Sequence, residues 1–92
     1  MKLKEGILLH HDRDDEYIGI TMGDLAETFN GMIRYNATTH FILEKLQSDI
    51  SKEELVDILC KEYTVSPQEA AEDLGKLLQE LDEIGLLENY SN

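Results

Sequence analysis

Residues 29–46 read Phe29-Asn-Gly-Met-Ile-Arg-Tyr-Asn36-Ala-Thr-Thr-His-Phe-Ile-Leu-Glu-Lys-Leu46. Their first half predicts a strand over 29–35, with Phe29, Gly31, Ile33 and Tyr35 on one face and Asn30, Met32 and Arg34 on the other. Asn36 is a favoured N-cap residue. After it, Ala37, Phe41, Ile42 and Leu46 recur at helical spacing. A strand therefore runs straight into an amphipathic helix.

Working outward from this joint, two more strands are expected before it and two more helices after it. Leu3, Ile7, Leu8 and Leu9 mark an apolar, strand-like stretch over residues 3–10. Asp12-Arg-Asp-Asp-Glu16 reads as a solvated turn, and Glu16-Tyr-Ile-Gly-Ile-Thr-Met22 as a second strand rich in β-branched and aromatic types. Gly23-Asp24 mark the next turn. Downstream, Ser51-Lys-Glu-Glu54 is a capping box before Leu55, Val56, Ile58, Leu59 and Tyr63. Ser66-Pro-Gln-Glu69 is a second box, with Pro67 at the favoured first helical position. Ala70, Leu74, Leu77, Leu81 and Ile84 then form one stripe. Gly85 is placed to end that helix in a left-handed conformation, after which Leu86 and Leu87 return to the core. The reading is one α+β domain over residues 1–92, a three-stranded antiparallel sheet followed by three helices (βββααα), of winged helix-turn-helix type.

Composition narrows the function. Hydrophobic residues are 41% and charged residues 30% of the 92, which suits a small globular domain with one modest core. No apolar run reaches bilayer length and the N-terminus lacks a signal-like apolar segment, so no membrane role and a cytoplasmic setting are expected. The net charge is −12, −4 over residues 1–50 and −8 over 51–92. Such a surface repels phosphate backbones and is compatible with a basic peptide or protein partner. In winged-helix proteins that bind DNA, the helix entering the major groove carries bases and amides. Here the segment 66–84 has six acids against Lys76 alone. No nucleic-acid partner is expected.

Chemistry-bearing constellations are missing from the sequence pattern. His10 and His11 point to opposite faces of a strand, and His40 has no ligand at metal spacing. A calcium loop starting at Asp12 fails, because Tyr17 stands where Gly is needed and Gly23 where the bidentate Glu is needed. Cys60 has no local base and reads as a small buried hydrophobe. Neither a catalytic residue nor a metal or other cofactor is expected. Gly75 interrupts a helix interior, where it costs about 1 kcal/mol relative to Ala. It shares a side with Ala71, Leu78 and Asp82. The small pair Ala71 and Gly75 admits either another backbone in a shallow groove or a close contact within the fold.

The chain resembles the PqqD family, small proteins associated with making pyrroloquinoline quinone and other ribosomally made, modified peptides. Residues 29–36 are similar to the family's strand ending in Leu-Asn, with Tyr35 in place of Leu. In the following helix Asn36, Thr38, Phe41, Ile42, Glu44 and Leu46 match, while Ala37, Thr39, His40, Leu43 and Lys45 depart. Glu54-Leu-Val, Tyr63-x-Val65, Ala70, Ala71, Asp73, Leu78, Leu81 and Gly85-Leu-Leu-Glu88 match further on. The resemblance spans nearly the whole chain.

It implies a recognition element that holds the leader segment of a precursor peptide and presents it to a modifying enzyme, often a radical S-adenosylmethionine enzyme. The leader would add as a strand along Gly31, Met32, Ile33, Arg34 and Tyr35, in a cleft beside the last helix. Leu74 and Leu78 would line the floor, Ala71 and Gly75 would give clearance, and Asp82 with Glu72 would attract basic leader residues. On that reading Gly75→Leu weakens peptide binding. Two other expectations stand beside it: a second copy pairing at the same strand edge to give a homodimer, and a winged-helix interaction or regulatory domain that binds no leader.

Overall fold

The computed structural model describes residues 1–29 and 31–90. The chain runs β1 (Lys2–Leu3), β2 (Ile7–Arg13), β3 (Glu16–Thr21), α1 (Leu25–Thr28), β4 (Met32–Tyr35), α2 (Ala37–Lys45), α3 (Lys52–Glu62), α4 (Pro67–Glu83) and β5 (Leu87–Glu88). β2, β3 and β4 form an antiparallel meander in that order, and three long helices follow it. This is the expected α+β arrangement, with additions at both ends.

The apolar stretch over 3–10 is two strands rather than one. Gly6, at φ +106°, turns the chain between them. A side chain there would place its Cβ 2.7 Å from the Met22 carbonyl oxygen, so the turn needs glycine twice over. β1 leaves the meander and pairs with β5, with Lys2 opposite Glu88 and Leu3 opposite Leu87. The charged stretch at 12–16 is only partly a turn. β2 continues to Arg13 through a bulge between His11 and Arg13, and Asp14, at φ 45°, makes the reversal. After Gly23 the chain forms the single helical turn α1, which buries Leu25. The expected third strand begins later than residue 29, because Phe29 caps α1 by donating its N–H to the Leu25 carbonyl. Asn30, expected on the outer face of that strand, lies outside the described residues.

The helix boundaries follow the side-chain chemistry. Asn36 Oδ1 accepts from the Thr39 N–H at 2.9 Å. Ser51 and Glu54 form a reciprocal capping box, at 3.1 and 3.3 Å. Ser66 accepts from the Glu69 N–H at 3.1 Å, with Pro67 opening the helix. Such caps contribute about 1 kcal/mol each. At the far end of α4, Gly85 adopts φ +82°; its N–H donates to Asp82 and the Leu86 N–H to Leu81. That paired pattern is a Schellman stop, and it sends Leu86 and Leu87 back into the core.

Leu43 and Leu46 of the second long segment, Leu55 of α3, Leu74 and Leu78 of α4, and Leu86 are fully buried together. One face of the meander packs on this core through Ile7, Leu9, Ile33 and Tyr35. Among the described residues no helix is long and apolar enough to cross a membrane.

Candidate functional site: the edge of the sheet and its cleft

β4 is an outer strand of the meander, so one of its sides has no strand partner. The Thr21 N–H donates to the Gly31 carbonyl, which identifies Gly31 as a hydrogen-bonded position opposite Thr21. Antiparallel ladders alternate. With Ile20 opposite Met32 and Ile18 opposite Arg34, the N–H and C=O groups of Met32 and Arg34 therefore point away from β3. Free edge groups of this kind are a template for another strand.

That edge opens on a cleft of about 330 Å³. Ile33, Arg34 and Tyr35 form one wall, Thr39 and Leu43 of α2 the floor, and α4 the other wall. The lining is mostly apolar, with Glu80 as the charged side chain of the helix wall; the Arg34 guanidinium turns to Asp12 and Glu16 on the other face of the strand. An open apolar trough beside an unpaired strand can accept an extended peptide. Backbone bonds would hold it, and alternate side chains would enter the trough.

The strand wall is braced from beneath. The Tyr35 hydroxyl donates to the Ile18 carbonyl at 3.2 Å and lies 3.3 Å from His40 Nδ1. His40 Nε2 lies 3.4 Å from Glu44 Oε1. Tyr17 stacks on the His40 ring at 4.2 Å and on His11 at 4.5 Å. Burial pushes the Tyr35 phenol up to about 12, with the nearby Glu44 carboxylate and Tyr17 adding to the effect. Tyr35 thus stays protonated throughout the neutral range and fixes the C-terminal end of the edge. On the opposite face Arg34 reaches Asp12 at 3.5 Å and Glu16 at 3.9 Å. These exposed pairs contribute under about 1 kcal/mol each.

The residues singled out from sequence fall in two groups. Ile33, Arg34 and Tyr35 line the cleft; Gly31 and Met32 continue the same edge. On α4 the structure distributes them differently. Leu74 and Leu78 are buried in the core, 1% and 0% exposed. Ala71 lies beside Lys52, Glu53, Val56 and Asp57 of α3. A Cβ on Gly75 would meet Lys52 Nζ at 3.3 Å. The small pair thus faces α3, and Asp82 is exposed on that same side of the helical wheel. The clearance given by Ala71 and Gly75 belongs to the α3–α4 contact.

The α4 wall of the cleft is instead Leu77, Glu80, Leu81 and Ile84. Three of these belong to the stripe visible in the sequence; Glu80 carried no signal. Periodicity identified the apolar stripe but not which of its margins meets the sheet. Among the described residues no group of three or more His, Cys, Asp or Glu is arranged to hold a metal ion.

Comparison with known proteins gives two findings. The model of the family described as Coenzyme PQQ synthesis protein D (PqqD) matches residues 5–87. The structure titled TbiB1 in complex with the TbiA(beta) leader peptide superposes with a TM-score of 0.80 at 27% sequence identity, covering 100% of both chains. No curated protein sequence matches the chain.

Proposed function

Because the chain belongs to the PqqD family, we propose that it is a non-catalytic module that binds the leader segment of a ribosomally made precursor peptide and presents it to a modifying enzyme. The observation that carries this reading is the unpaired edge at Met32 and Arg34, opening on the apolar trough closed by Leu77, Leu81 and Ile84. The peptide adds as a fourth strand beside β4. Its alternate side chains enter the trough beside Glu80, and those that point away from it pass Arg34 on the outer face. That TbiB1, which superposes over its whole length, is held in complex with a leader peptide supports a leader as the ligand.

The enzyme that receives the peptide is a radical S-adenosylmethionine enzyme, and the work is done in the cytoplasm, where ribosomes release precursor peptides. A second copy pairing at β4 would occupy the same backbone groups, so leader binding and edge-to-edge dimerisation exclude each other.

An amide-resolved NMR titration with the leader half of a candidate precursor peptide tests the reading. Shifts concentrated in residues 31–35 and 77–84 are the expected result. Saturating peptide with no shifts in either segment would sink it.

A further inference from the structure

The meander has a second face that no element of the described chain covers. Leu8, Ile20 and Met32 stand directly opposite one another across β2, β3 and β4. They are 50%, 36% and 50% exposed, and Met22, two residues beyond Ile20, is 48% exposed. Four of the five large exposed hydrophobic residues therefore lie in this one region, the fifth being Val65 between α3 and α4. Contiguous apolar surface of this kind on a small domain marks a contact surface.

Charge and position point to the occupant. Asp12 and Glu16 flank Arg34 at one end of this face, leaving an excess of negative charge beside the apolar row. The chain as a whole carries −12, so two copies meeting here would repel. A partner with an apolar patch and a basic rim would be attracted. The face is also continuous with the cleft edge, because β4 supplies Met32 and Arg34 to it. In a strand added at β4, every second side chain points away from the cleft and lies beside Met32 and Arg34. A partner seated here touches module and peptide together.

We propose that the outer face of the sheet docks the modifying enzyme, which presents an apolar patch with a basic rim and recognises the module with its leader strand in place. This rests on the reading of the cleft as the leader site. It gives one sheet two tasks: its edge holds the peptide, and its outer face brings the enzyme to it.

Leu8→Lys and Ile20→Lys test this, since neither residue lies on the peptide-binding edge. The probes are a candidate radical S-adenosylmethionine enzyme and a candidate precursor leader; the leader is titrated alone and the enzyme both with and without leader, with circular dichroism as the folding control. Ile20→Thr serves as the milder variant should a lysine unfold the sheet. Enzyme affinity falling by about tenfold or more, with leader affinity within about twofold of wild type, is the expected result. The loss should shrink as salt rises, because repulsion between the new lysine and the partner's basic rim is screened. Enzyme affinity unchanged in folded variants overturns the proposal. So does sedimentation showing a wild-type dimer that Ile20→Lys dissolves, which would assign the face to a second copy. Loss of enzyme binding in the variants, in a chain that binds no leader at all, upholds the docking face and removes only the cleft reading.

Discussion

The two flanks of α4 do different work although one apolar stripe supplies both. On the flank toward α3, Ala71 borders Lys52, Glu53, Val56 and Asp57, Gly75 lies under the end of Lys52, and Leu78 is sealed at 0% exposure. On the flank toward β4, Leu77 and Ile84 are only half-buried and Glu80 is exposed. The first flank buries its leucines against α3 within the chain. The second lacks a neighbouring strand, and its apolar side chains line the cleft above Leu43. Incomplete burial at matching positions, rather than apolar character, distinguishes a binding wall from a core.

Substitutions on the two flanks should therefore separate stability from binding. The largest effect is expected at Leu78→Ala, which empties a sealed site and should cost about 2–5 kcal/mol, read as a lower denaturant midpoint with unchanged slope. Next comes Leu77→Glu on the open flank. A carboxylate in the trough should weaken leader binding by about tenfold or more, or about 1.4 kcal/mol, while thermal unfolding moves little. A fall in stability as large as that of Leu78→Ala would erase the distinction between the flanks. The smallest effect is expected at Gly75→Ala. The new methyl meets only the mobile end of Lys52, so relief of the glycine penalty should stabilise α4 by about 0.5–1 kcal/mol, with leader affinity unchanged. Weakened leader binding in that variant would return Gly75 to the cleft.

Much of this was legible before any coordinates. Asn36, Ser51 and Ser66 are caps and Gly85 is the stop, because short-range chemistry decides each of them; that the strand before Asn36 forms an edge is what the family resemblance implies. What stayed hidden depends on distant partners. Leu3 looks like part of one strand with Ile7 until Gly6 turns the chain and β5 claims it. Leu25 to Thr28 is too short for any period to show. Leu77 and Leu78 differ by a single step along the helix, yet one faces the cleft and the other the core. Nothing in the stripe itself orients the helix about its axis. For that, the positions of α3 and β4 are required.

The β1–β5 ribbon has a kinetic consequence. Lys2 meets Glu88 across nearly the whole chain, a contact whose closure must await the meander and helices between them. The ribbon is thus expected to seat late in folding and to release early. In native-state hydrogen exchange, the amides of Leu3 and Lys4, held by the Leu46 and Leu86 carbonyls, should open by a local route at lower free energy than the amides in the middle of α4. The ribbon is a clasp whose opening also uncovers Leu3 and Leu87 of the core.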